Sequence, residues 1–155
     1  MTHPRPSPRL AAFEGECRRR GLAVTVQRRK VFAELAGRRD HPTADQVYDA
    51  VRGSLPGLSR TTVYRVLETL VDAGLARKVH HAGGVARFDP MTERHHHLVC
   101  DACGRLVDLD DALVPPLRLP ARSGTGFRIT DYSVSFTGLC AACERKPGRP
   151  GTRND

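Results

Sequence analysis

The sequence has 155 residues, no tryptophan, and only 5% aromatic residues. That scarcity argues against a single-strand binder built on stacked bases. No apolar run is long enough to cross a bilayer, so no membrane span is expected. The opening Met1-Thr2-His3-Pro4-Arg5-Pro6 lacks an apolar core, so no secretory signal is expected and the predicted compartment is the cytoplasm. Acidic residues are in deficit, 17 against 25 basic ones, which leaves a net charge of +8 and points to a polyanionic partner. With 39% hydrophobic and 27% charged residues, the chain can still bury a core and is not a disordered one.

The charge is unevenly placed. Residues 1–88 hold 16 basic and 8 acidic side chains, whereas residues 89–155 hold 9 of each. Cysteine shows the opposite bias, with four of five lying beyond residue 99, just after the run His95-His96-His97. A basic half is joined to a half rich in metal-ligating types.

The basic half reads as short helices. Leu10, Phe13 and Cys17 fall at helical spacing before Gly21, with Cys17 an ordinary buried helix residue. Thr25 suits the N-cap of a second helix carrying Val31, Phe32 and Leu35, with Gly37 as its stop. Thr43-Ala44-Asp45-Gln46 is a capping-box pattern ahead of Val47 and Val51. The turn Leu55-Pro56-Gly57-Leu58 leads to Ser59, which caps a fourth helix carrying Val63, Val66, Leu67 and Leu70 up to Gly74. A hairpin is expected next, from Leu75 to His81, through Ala82-Gly83-Gly84, and back along Val85 to Asp89. Helix-turn-helix followed by a hairpin is a winged helix, whose second helix enters the DNA major groove. The polar face of that helix shows Arg60, Thr61, Tyr64, Arg65 and Glu68. A solvated helix face is the competing reading, and the concentrated positive charge favours DNA.

The second half reads as strands over 97–100, 105–109 and 132–138. Between them, Pro115, Pro116 and Pro120 allow at most a short, broken helix. Cys100-Asp101-Ala102-Cys103 and Cys140-Ala141-Ala142-Cys143 are two CxxC pairs separated by 36 residues, a gap that a strand–helix–strand excursion would span. Four thiolates from two tight turns make a closed tetrahedral site for structural Zn2+. Disulfides are the alternative, and they are disfavoured in a reducing compartment. His95 and His97 share a face if the segment is extended, while His96 points away. Asp89, Asp108 and His41 are further candidates that periodicity does not bring together.

These residues resemble the ferric uptake regulator family of metal-dependent bacterial repressors. The matching stretches are Gly21-Leu22 through Arg28, His41-Pro42-Thr43-Ala44 with Val47-Tyr48, Ser59 with Thr62-Val63-Tyr64-Arg65, and Ala73-Gly74-Leu75. They continue with Arg87-Phe88-Asp89, His95 through Cys100, Cys103-Gly104, Gly126-Phe127 and Gly138-Leu139-Cys140. The resemblance implies an α+β chain: a winged-helix domain over 1–88, a hinge over 89–94, and a small α/β metal-binding dimerisation domain over 95–145. Residues 146–155 would form a disordered tail. It further implies a homodimer on double-stranded DNA, at an AT-rich palindromic operator. Ser59, Arg60, Thr61, Thr62, Tyr64 and Arg65 are the expected DNA-facing residues. His41, Asp89, His95, His97 and Asp108 match family positions for a regulatory Fe2+ or Mn2+ site. Ala23 stands where some relatives carry a basic minor-groove residue, and Arg18 to Arg20 are the candidates to replace it.

Peroxide-sensing members of that family resemble this chain in having Asp at both carboxylate positions, here Asp89 and Asp108. In them, bound ferrous iron reacts with peroxide and a ligating histidine is oxidised; the candidates here are His41 and His95. The expected function is therefore a non-enzymatic, peroxide-responsive repressor. Alternatives are an iron, manganese, nickel or zinc uptake regulator, or a zinc-stabilised DNA-binding module without sensing. A zinc hydrolase or deaminase is excluded, because the four-Cys site is closed and no H-x-E with a downstream Pro-Cys-x-x-Cys is present.

Overall fold

The computed structural model describes residues 8–80, 84–109, 111–118 and 124–146. It divides into two compact units, Met1–Glu93 and Arg94–Asp155. Among the described residues, no helix is long and apolar enough to cross a membrane.

The first unit contains α1 (Pro8–Arg19), α2 (Val26–Gly37), α3 (Ala44–Val51) and α4 (Arg60–Asp72), then the strands β1 (Arg77–Val79) and β2 (Arg87–Asp89). The caps sit where the sequence places them. The Thr25 hydroxyl accepts from the Arg28 amide at 3.2 Å. Thr43 and Gln46 form a reciprocal capping box, each side chain accepting from the other's backbone N–H. Ser59 Oγ accepts from the Thr62 amide at 3.1 Å. The turn between α3 and α4 closes through Leu58 N–H to Leu55 C=O at 3.1 Å, with Gly57 at φ +80°. Pro56 at the first central position and a left-handed Gly57 at the second make this a type II turn, which a side chain at position 57 would strain.

The apolar faces of these helices converge on one core. Phe13 and Phe32 stack at 4.3 Å between ring centroids, and Val31, Leu35, Val47, Val63, Leu67, Leu70 and Phe88 close around them. Each such side chain contributes roughly 1.5–3 kcal/mol by leaving water. Cys17 belongs to this core, and its burial pushes the thiol pKa up. The antiparallel wing pairs Arg77 with Asp89, Lys78 with Phe88 and Val79 with Arg87. Its paired strands are shorter than the sequence pattern suggests; the expected turn at residues 82–83 lies outside the described residues, as do His81 and the tail from 147.

The second unit is a three-stranded sheet of order β4-β3-β5, from β3 (His96–Cys100), β4 (Leu106–Leu109) and β5 (Ser135–Gly138), followed by the short α5 (Ala141–Glu144). β3 pairs antiparallel with β4, and parallel with β5 in the register Leu98 to Phe136 and Cys100 to Gly138. The excursion between the Cys pairs contains no α-helix among its described residues, only a 3-10 turn at Asp111–Leu113. Proline at 115 and 116 removes two amide donors just beyond that turn, which leaves no room for a longer helix. Residues 119–123, with Pro120, lie outside the described residues.

Candidate metal centres and nucleic-acid interface

The sheet of the second unit delivers four thiols to one point. Cys100 ends β3 and Cys140 follows β5, its parallel neighbour. The first CxxC is folded back by Gly104 N–H to Cys100 C=O at 2.8 Å, with Gly104 at φ +69°. The second is the first turn of α5, closed by Cys143 N–H to Cys140 C=O at 2.8 Å. The four sulfurs lie within 4.8 Å of one another, and the Cys103 and Cys140 sulfurs are 3.9 Å apart. Four Zn–S bonds of about 2.3 Å in a tetrahedron place sulfurs roughly 3.8 Å apart, so the cluster fits that ion. All five cysteines are free thiols.

The backbone already favours thiolates here. The Cys140 N–H donates to Cys100 Sγ at 3.3 Å and, helped by the Cys103 and Ala102 amides, lowers that thiol to about 6. The Cys143 N–H lowers Cys140 in the same way. Cys143 is pushed the other way, up to about 12, chiefly by its sulfur's hydrogen bond with Cys140. A cation bound among these four sulfurs would take the place of their protons.

Nitrogen and oxygen donors occur as two groups, one in each unit. In the first unit, His41 Nε2 lies 3.4 Å from Asp89 Oδ2, and both residues are nearly fully buried, at 3% and 2% exposure. The other carboxylate oxygen of Asp89 accepts from the Met91 amide at 2.7 Å. His41 adopts φ +49°, and among the described residues no other non-glycine has a positive φ. Its carbonyl accepts from Arg87 Nη1 at 3.0 Å. In the second unit, Asp108 Oδ1 lies 3.4 Å from His95 Nε2 and 3.9 Å from His97 Nε2. The two imidazoles meet edge to face, 4.6 Å between centroids. His97 and Asp108 are register partners across β3 and β4, which explains their approach. Donor atoms sharing one ion at bonds near 2.1 Å stand roughly 3 Å apart, so each group fits part of a coordination shell. His96 turns to the opposite face, where its Nδ1 accepts from the Val134 amide at 3.2 Å and its ring stacks on Tyr132. Sequence alone assigns His96 no role; its partners come from the segment just before β5, far along the chain.

The six expected DNA-facing residues separate into two sets. Ser59 and Thr62 are engaged with each other as cap and first turn, their hydroxyls 2.8 Å apart. Arg60 is ion-paired to Asp45, lies 3.6 Å from Asp49, and sits over the Tyr48 ring at 4.7 Å, all on α3. Thr61, Tyr64 and Arg65 are exposed on α4. Among the described residues no carboxylate pairs with Arg65. Lys78, which the sequence reading did not single out, reaches from β1 to Glu68 and Tyr64. Arg18 pairs with Glu14, and Arg19 and Arg20 pair with Glu16. Arg20 also donates to the Ala73 carbonyl at the end of α4, 2.8 Å away.

Comparison with known proteins bears on this arrangement. The peroxide operon regulator of Bacillus subtilis is 32% identical over 126 residues, which cover 81% of this chain and 87% of that one. The structure of PerR from Streptococcus pyogenes, described for peroxide sensing and gene regulation, superposes with a TM-score of 0.52 at 26% identity, covering 92% of this chain and 98% of that one. The ferric uptake regulator of Helicobacter pylori, described with three functional metal-binding sites, superposes with a TM-score of 0.69 at 17% identity, covering 96% of this chain and all of that one. A sequence model of the ferric uptake regulator family matches residues 19–137. The chain, with its winged helix and its small metal-binding sheet, belongs to the ferric uptake regulator family.

Proposed function

We propose that this protein is a metal-dependent, peroxide-responsive transcriptional repressor that acts as a homodimer on double-stranded DNA in the cytoplasm. The observation that carries this reading is the donor chemistry. A four-thiol cluster suits structural zinc, while the imidazole and carboxylate donors, His41 with Asp89 in one unit and His95 and His97 with Asp108 in the other, are of the kind that suits Fe2+ or Mn2+. Asp89 and Asp108 supply both carboxylates of that set, and the relative from Bacillus subtilis is named for peroxide.

In this reading His41, Asp89, His95, His97 and Asp108 hold one regulatory ion. Residues 1–88 are the DNA-binding domain, 89–94 the hinge and 95–145 the dimerisation domain. Because the ligands come from both domains, their joint ligation selects one interdomain arrangement, the bistable element of a switch. Ferrous iron bound there would reduce peroxide and leave an oxidised imidazole, at His41 or His95. The chain's own part is to set that angle, to present Thr61, Tyr64 and Arg65 to the major groove, and to supply phosphate contacts from its basic half. Ser59, Arg60 and Thr62 shape the start of the recognition helix. Leu98 and Phe136 support the dimer: they are register partners, both close to 40% exposed, on a sheet with β5 at its edge.

The test starts from DNA selected out of a random pool by the Mn2+-loaded protein, which should be an AT-rich palindrome. With Fe2+, peroxide should release that DNA and add one oxygen to a peptide containing His41 or His95. With Mn2+, peroxide should do much less. Iron-loaded protein that stays on its DNA after peroxide, with unmodified histidines, would leave a metal-uptake regulator. DNA binding that ignores both metals would leave a zinc-stabilised module without sensing.

A further inference from the structure

We propose that Arg87 is a positioning residue for His41, so that the second wing strand holds both ligands that the N-terminal unit offers. The inference rests on the proposed regulatory centre, with His41 as one of its ligands.

His41 is in an uncommon state. A positive φ is disfavoured for any residue with a Cβ, and the following Pro42 independently presses its predecessor towards extended backbone. Such a conformation persists only where the surroundings impose it. Here the surroundings are β2. Arg87 Nη1 donates to the His41 carbonyl at 3.0 Å, and the Phe88 amide donates to the Pro42 carbonyl at 2.9 Å. Thr43 forms an isolated antiparallel bridge with Arg87. The segment 41–43 is thus fastened to β2 by the ladder bond that pairs Thr43 with Arg87 and by the Arg87 guanidinium, which acts directly on the backbone of the strained residue.

Strand geometry then gives Arg87 its second significance. Asp89 lies two residues on and shares its face of β2. One face of one strand therefore supplies a carboxylate and, through a guanidinium, fixes the backbone from which the imidazole starts. The resulting Nε2 to Oδ2 separation is 3.4 Å. Without Arg87, His41 relaxes towards extended φ and its ring leaves Asp89. Because β2 is also half of the wing, the metal would read the wing's position and not only that of the helices.

The experiment uses the full chain with zinc in its four-Cys site. The backbone φ of His41 is read from NMR couplings and carbon shifts without Mn2+, and Mn2+ affinity is then measured by titration. The variants are Arg87→Met, Arg87→Lys and His41→Ala. Arg87→Met should move His41 to negative φ and weaken Mn2+ binding about 10- to 100-fold, the usual size for a group that orients a ligand. Arg87→Lys, which keeps a charged donor, should restore part of both. A merely structural role would lower thermal stability but leave the His41 couplings unchanged. If Arg87→Met does not fold, Arg87→Gln is read by the same two measurements. Unchanged φ, or wild-type Mn2+ affinity, would overturn the proposal. His41→Ala binding Mn2+ as tightly as wild type would instead remove His41 from the regulatory centre.

Discussion

Lys78 on the first wing strand reaches Glu68 on α4, Nζ to Oε1 at 2.5 Å, and its ammonium also lies over the Tyr64 ring at 5.5 Å. Tyr64 thereby has a fixed neighbour on the wing, although it is half-exposed. The pair is itself partly shielded, with the two side chains 22% and 32% exposed.

Breaking this tie should loosen the wing without unfolding the unit. A double-mutant cycle of Lys78→Met and Glu68→Gln should give a coupling of about 0.2–1 kcal/mol in urea unfolding. The Glu68 hydrogen bond raises the lysine's pKa above its ordinary 10.5. Its contribution is therefore complete below that pH and is lost only as pH rises past it, so the coupling should be the same at about pH 6 and pH 8. A coupling of zero would make the contact incidental.

Arg65 and Arg60 should behave differently although they share a helix. Arg65→Ala should weaken DNA binding and lower the slope of log affinity against log salt by about 1, with zinc content and dimerisation intact. Arg60→Ala removes the ties to Asp45 and Asp49 and should lower thermal stability first. Wild-type DNA affinity in Arg65→Ala, measured across a salt series, would remove it from the interface.

Loss of one thiol should cost the second unit its fold. Structural zinc sites of this kind contribute about 10–16 kcal/mol of apparent binding energy to folding. Cys100→Ser and Cys140→Ser should each yield zinc-free protein that is monomeric or insoluble, checked by metal analysis and gel filtration. A soluble zinc-free dimer would refute a structural role.

Asp89→Ala should uncouple metal from DNA. Shifting a two-state equilibrium from 1:99 to 99:1 needs a preference of about 10⁴-fold, or roughly 5.5 kcal/mol, and loss of one of the five proposed ligands should remove much of it. The variant should keep its zinc and its dimer yet bind DNA equally with and without Mn2+. Retained Mn2+ dependence in a gel-shift titration would exclude Asp89 from the switch.

What the sequence made legible was local. Thr25, Thr43 and Ser59 cap helices because short hydroxyls there meet orphan amides a turn later, and that chemistry is written in neighbouring residues. The CxxC pairs were legible for the same reason, each being complete within four positions. The partners of Arg60 and Lys78 were not, because ion pairs across two helices or from helix to strand carry no spacing signature. Nor was the approach of His97 to Asp108, which depends on the β3–β4 register. The wing hairpin was legible but not the shortness of its strands: Val85 and Ala86 have strand character, yet β2 begins only at Arg87.

The parallel pairing of β3 with β5 joins residues 38 positions apart, whereas β3 and β4 are neighbours across a tight turn. Loop-closure entropy opposes the first contact more than the second, and contacts of large sequence separation form slowly. The β3–β4 hairpin should therefore assemble early and β5 join it last. The first CxxC runs from the end of β3 into that hairpin's turn and the second directly follows β5, so zinc held by the four thiols would fasten the late strand to the early pair. Depriving a growing cell of zinc would then act on newly made chains before it acts on finished ones, leaving hairpins formed and the sheet's third strand undocked.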